Sequence, residues 1–233
     1  MSGTDNTATL ISDAKKRPAA KTIKHGPRAQ KAMVQIMDAA ERLFALNGIE
    51  GVALRQILIE AKQRNKFAIS LYFGSKEELV VALIGRRTGE MNVHRRKLME
   101  AAIARGTLDD ARTLLEIIYR PMAEVSDATG QYTYPRFLQQ VMLYHSLSSR
   151  WPTTNYEGPH SEANKRMHGL VSNLSEDLFD GLLAVISGIF LTAVTTRGLR
   201  IIEGRATVPF EEFFQAVLDM ATAAFDAARN PRA

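Results

Sequence analysis

From residue 30 to the end of this 233-residue chain, apolar residues recur at steps of three and four, and nowhere do they alternate for long. Met33, Ile36, Met37, Ala40, Leu43 and Phe44 share one helical face. The same spacing returns in Leu114, Leu115, Ile118 and Met122, in Phe137, Leu138, Val141, Met142 and His145, and in Met167, Leu170, Val171 and Leu174. A period near 3.6 demands helices, and the lack of a sustained period of two leaves no sheet to build. The expected fold class is therefore all-α.

With 45% hydrophobic residues the chain can bury a full core. It has no cysteine, which excludes disulfide frameworks and thiolate metal sites and fits a reducing compartment. The longest uncharged apolar run, Gly181 to Thr196, has 16 residues, short of the roughly 20 a spanning helix needs. No secretory signal pattern opens the chain. These features lead us to expect a soluble, cytoplasmic protein.

The net charge of +5 is unevenly divided. Residues 1–105 carry 19 Lys+Arg against 10 Asp+Glu, and residues 106–233 carry 11 against 15. A basic amino-terminal part suggests contact with a polyanion there, although a solvated basic face would look the same. Residues 1–28 hold most of "AKKRPAAKTIKHGPRAQK", which has seven cations and no acid, and read as a flexible basic tail. Lys15, Lys16, Arg17, Lys21, Lys24 and Arg28 could follow a nucleic-acid backbone as an arm or serve only for solubility.

Residues 29–95 read as four helices. The first stops at Asn47-Gly48, the second spans roughly Leu54 to Ala61, and the third runs from Lys66 to Tyr72 after the polar turn "KQRN". The fourth opens at Ser75, which with Glu78 makes the S-x-x-E capping pattern. Lys76 then falls at the first helical position, where a cation costs about 0.3–1 kcal/mol against the helix dipole, so a compensating anion is expected. Two short helices joined by a tight turn and braced by a third have the outline of a helix-turn-helix.

Residues 96–233 read as a larger helical domain whose last two helices are the most apolar. Leu182, Ile186, Ile189 and Phe190 on one, and Phe213, Phe214, Val217 and Ala221 on the other, would expose a large apolar patch on a monomer. A homodimer joined through a four-helix bundle would cover it, and a larger monomeric core is the alternative.

The block Met33 to Leu83, "MVQIMDAAERLFALNGIEGVALRQILIEAKQRNKFAISLYFGSKEELVVAL", resembles the amino-terminal DNA-binding domain of the TetR/AcrR family of transcriptional regulators. The resemblance lies in "DAAERLFALNG", "LRQI" and "YFGSKEEL"; Lys62 stands where the family commonly has glycine. It implies that the third helix enters a major groove of double-stranded DNA. Arg55, Tyr72 and Lys76 would then hold phosphates, and Arg64, Asn65, Lys66 and Ser70 would be candidates for base edges. Asn65 could equally cap the third helix, and Arg55 could be a plain surface arginine. The resemblance further implies a dimer holding a palindromic operator and a mostly apolar effector cavity, with Tyr119, Met122, Phe137, Tyr144, His145 and Trp151 as candidate contacts.

The expected function is a homodimeric repressor released from its operator by a small, largely apolar ligand, with no cofactor. A constitutive or architectural DNA-binding protein without an effector is the alternative. A helical enzyme is a third reading, but the five histidines show no metal-ligand spacing and no catalytic motif appears.

Overall fold

A computed structural model of the protein describes residues 26–125, 132–144 and 158–230. Among these residues every regular element is a helix. Helix α1 spans Pro27–Asn47, α2 Leu54–Glu60, α3 Ala68–Tyr72, α4 Lys76–Arg105 and α5 Ala111–Glu124. They are followed by α6 (Thr133–Leu143), α7 (Pro159–Leu170), α8 (Glu176–Ile202) and α9 (Phe210–Arg229).

The helix ends follow local chemistry. Ser75 Oγ accepts the Glu78 N–H at 3.1 Å, so the serine cap read from the sequence forms. Helix α3 starts two residues later than its spacing suggested. Asn65 Oδ1 accepts the Phe67 N–H at 2.9 Å and the Asn65 carbonyl accepts from Ala68, closing a turn ahead of the helix. Asn65 thus closes the turn ahead of α3, whose N-cap position is Phe67.

Helix α2 ends in a paired closure, with Gln63 N–H donating to Leu58 O at 2.9 Å and Lys62 N–H to Ile59 O at 3.0 Å. That motif needs a left-handed residue in its middle, and Lys62 supplies it at φ 53°. A β-carbon there costs about 1–2 kcal/mol. Lys62→Gly is expected to stabilise the protein by about 0.5–1 kcal/mol, the relief of strain less glycine's extra entropy in the unfolded chain. A urea midpoint that falls would show that the strain is absent.

Ile36, Ala39, Ala40, Phe44, Val52, Ile57, Ala68, Ile69, Leu79, Val80 and Leu83 form the interior of the amino-terminal head. Helix α4, which at 30 residues is about 45 Å long, continues from that head into the body without a break at residue 95. Glu41, only 3% exposed, grips Arg87 through two bonds of 2.7 and 2.8 Å and locks α1 to α4. Helix α1 also lies along α6, where Phe44 stacks on Phe137 at 6.1 Å.

In the body, α5 is packed between α4, α7, α8 and α9. Helix α8 has the length and apolarity to cross a membrane, but Ile186, Phe190, Leu191 and Val194 bury one side of it in the core. Five of the expected interface residues need correction here. Ile186, Phe190, Phe214, Val217 and Ala221 are buried within one protomer, and Leu182, Ile189 and Phe213 are partly buried against the same core. The reason is that α5 and α6 occupy that side: Tyr119 stacks on Phe190 at 4.2 Å, and the Arg120 guanidinium lies 4.4 Å from the Phe214 ring. Apolar residues left in solvent on α8 and α9 include Leu178, Val185, Leu199, Ile201, Ile202 and Met220.

Candidate nucleic-acid interface and interior cavity

Ala68 and Ile69 seat α3 on the core, which leaves the rest of the turn and helix facing outward. Arg64, Asn65, Lys66 and Ser70 are all exposed, and so is Arg55 at the start of α2. Tyr72 is half-buried against the core. Two apolar side chains join this surface unexpectedly. Phe67 is 63% exposed and Leu71 65%, with the Lys66 ammonium 5.0 Å from the Phe67 ring. Sequence reasoning would place a phenylalanine inside, but the Asn65 turn rotates this one into solvent.

Lys76 has a partner that its sequence position did not reveal. Its ammonium donates to the carbonyls of Ile49 at 2.6 Å and Glu50 at 3.4 Å, tying the start of α4 to the turn that precedes α2. Carbonyl lone pairs thus supply the negative charge that a cation at a helix start calls for. Beside it, Glu77 accepts the Tyr144 hydroxyl at 2.8 Å. Its own backbone N–H, the Ser75 hydroxyl and Tyr144 together hold the Glu77 carboxyl below the usual range.

A cavity of about 470 Å³ lies in the body, walled by α4, α5, α6, α7 and α8. Its apolar wall includes Ile84, Met91, Ile118, Met122, Leu183 and Leu191, and its polar groups include Tyr119, Ser187, His160 and Arg95. Tyr119 and Ser187 share a hydrogen bond of 2.8 Å. Burial pushes the Tyr119 hydroxyl up to about 12 and, with Arg95 nearby, the His160 imidazole down to about 3, so both are neutral at physiological pH.

Of the expected cavity residues, Tyr119 and Met122 line it. Phe137 and Tyr144 do not, because Phe137 turns towards Phe44 and Tyr144 towards Glu77. His145 and Trp151 lie outside the described residues, as do the tail cations up to Lys24. Arg95 and His160 were missed. A signal for Arg95 was available: Ile84, Thr88, Met91, Arg95, Leu98 and Ala102 keep steps of three and four, which puts the arginine on the inward stripe of α4.

A short exposed helix carried on a braced helical turn, with cations around its start, defines a helix-turn-helix DNA-binding protein. Residues 36–83 match the family model described as bacterial regulatory proteins, tetR family. Residues 36–83 are thus similar to the DNA-binding domain of that family, which supports a DNA-binding transcriptional regulator. No curated protein matches the chain.

Proposed function

We propose that the protein is a homodimeric, cytoplasmic repressor that holds a palindromic operator and is released from it by a small, largely apolar ligand. Residues 29–95 would be the reading head and residues 96–233 the effector and dimer body. In this reading α3 enters the major groove, with Arg64, Asn65, Lys66 and Ser70 at base edges. Phe67 and Leu71 are suited to thymine methyl groups. Arg55, Tyr72 and the third N–H of Lys76 meet phosphates.

The observation that carries the regulatory part is the course of α6. Tyr134 and Leu138 on this helix line the cavity, Phe137 packs on α1, and Tyr144 at its end bonds to Glu77 beside Lys76. A ligand that displaced α6 would move both contacts with the head. Coupling on the order of 1–3 kcal/mol is the usual scale for such effects. A constitutive DNA-binding protein would have no use for a cavity of this size, which supports an effector.

For the dimer, the support is the exposed stripe. Leu178, Gly181, Val185, Gly188, Thr192, Thr196 and Leu199 recur at steps of three and four on α8, all exposed except the partly buried Gly188, and Ala216, Met220, Ala223 and Ala227 do so on α9. Gly181, Gly188 and the alanines would let partner helices approach closely, so this stripe replaces the buried residues as the interface.

Selection of bound sequences from random DNA by the full-length protein tests the proposal. One enriched inverted repeat supports it, whereas equal recovery of all sequences favours an architectural protein. On the selected site, Lys76→Ala is expected to weaken binding to specific and random DNA about equally and to make the salt slope shallower by about one. A lower melting temperature with an unchanged salt slope would confine Lys76 to its role in bracing the turn.

A further inference from the structure

Arg95 is 3% exposed, and its guanidinium faces the cavity. Among the described residues all its partners are neutral. The Ile118 carbonyl accepts from Nε at 3.3 Å and from Nη2 at 3.1 Å, while Asn92 Oδ1 and the Thr88 carbonyl lie at 3.3 and 3.5 Å from Nη1. The Met91 sulfur, 3.9 Å from Nη2, is a weak acceptor. The Ile118 carbonyl lies within one turn of Pro121, where the helical ladder of α5 is interrupted.

Arg86, Arg87 and Arg120, three other partly buried arginines, are treated differently. Arg87 meets Glu41 at 2.7 and 2.8 Å, Arg86 meets Asp38 at 2.7 Å, and Arg120 meets Glu211 at 2.8 and 2.9 Å and Glu116 at 2.8 Å. Among the described residues, no carboxylate lies within ion-pairing distance of Arg95. Glu176 and Asp180 line the cavity but are exposed residues. Burial pulls Arg95 down only to about 10, so it remains a cation at neutral pH. A buried charge without a counter-ion costs several kcal/mol, and the neighbouring His160 is neutral and cannot offset it.

We propose that the cavity takes an amphipathic organic anion, a small monocarboxylate whose charged end pairs with Arg95 and whose hydrocarbon part lies against Ile84, Met91, Met122 and Leu183. This rests on the effector reading above and adds the ligand's charge to it. The volume of about 470 Å³ suits such a molecule, since small-molecule sites span roughly 300–1,000 Å³. A planar carboxylate also matches the two-pronged donor geometry of a guanidinium.

The test uses full-length protein, calorimetry and thermal denaturation, with octanoate and phenylpropanoate as probes and octanol and phenylpropanol as their neutral counterparts. Both carboxylates are expected to bind saturably and raise the melting temperature. The alcohols should bind on the order of tenfold more weakly or worse, as expected when a hydrogen bond to a charged group is lost. Arg95→Met should lose the carboxylate preference while melting no lower than the parent without ligand, because it removes an uncompensated charge.

Equal affinity for octanol and octanoate would overturn the proposal, as would an Arg95→Met protein that binds octanoate as the parent does. So would failure of both carboxylates to bind. If Arg95→Met does not fold, the contrast between acid and alcohol in the parent protein decides alone. DNA retardation by the same preparations separates the two readings. Loss of DNA binding caused by the alcohols as readily as by the acids would preserve the effector reading and sink the anion. Absence of selective DNA binding without any ligand would sink the regulator reading whatever the probes do.

Discussion

Val185→Arg is expected to leave the protein monomeric and to lower its affinity for a duplex with two half-sites by a factor of about 10²–10⁴, the scale of the avidity lost when two linked heads become one. Val185 is 59% exposed at the middle of the α8 stripe, so the substitution does not disturb the protomer's own core. In a symmetric interface each arginine would face the partner's copy of the same patch and bury a charge with no acid opposite it. Light scattering after gel filtration reads the mass, and gel retardation reads the affinity. Affinity for a single half-site should stay within about twofold, since no head contact changes. A Val185→Arg protein that remained dimeric would rule out this face. The contrasting variant is Phe190→Arg: it should fail to fold, because Phe190 is fully buried against Tyr119 and Phe214.

Glu41→Ala should cost about 3 kcal/mol of stability, a large share of the 5–15 kcal/mol that holds a typical domain together. The carboxylate is 4% exposed and receives both prongs of Arg87, with Arg86 3.8 Å away. Removing it takes both short bonds from Arg87, while Arg86 keeps Asp38 at 2.7 Å. The loss falls at the low end of the range for a broken buried pair because Arg87 also reaches Glu90 at 3.0 Å and keeps some solvent contact. The urea midpoint is the readout. Joint replacement, Glu41→Leu with Arg87→Leu, should recover most of the deficit, since an apolar pair avoids the desolvation cost. If the single and double variants unfold at the same midpoint, the pair does not hold the two helices together.

The capping serine, the stop at Asn47-Gly48 and the four helices of the head are legible in sequence because each depends on residues within one or two turns. The same locality explains why Leu114, Leu115, Ile118 and Met122, read from one helical period, all face inward. Phe67 was not legible. Its exposure depends on a three-residue turn closed by Asn65, and periodicity says nothing about a turn. Helix α8 shows the second limit. Its apolar residues surround it, so the pattern indicates burial without saying which side meets α5 and α6 and which is left for a partner.

The amino-acid order alone therefore determined the helical class, the head with its caps, and the charge that draws it to a polyanion. Tertiary packing decided the rest. It gave Lys76 its carbonyls, divided the apolar faces of α8 and α9 between core and surface, and buried Arg95 with no acid beside it among the described residues. The physical reason is range: hydrogen bonds at helix ends and helical period act over a few residues, whereas the partner of a buried charge can lie anywhere in the chain or outside it.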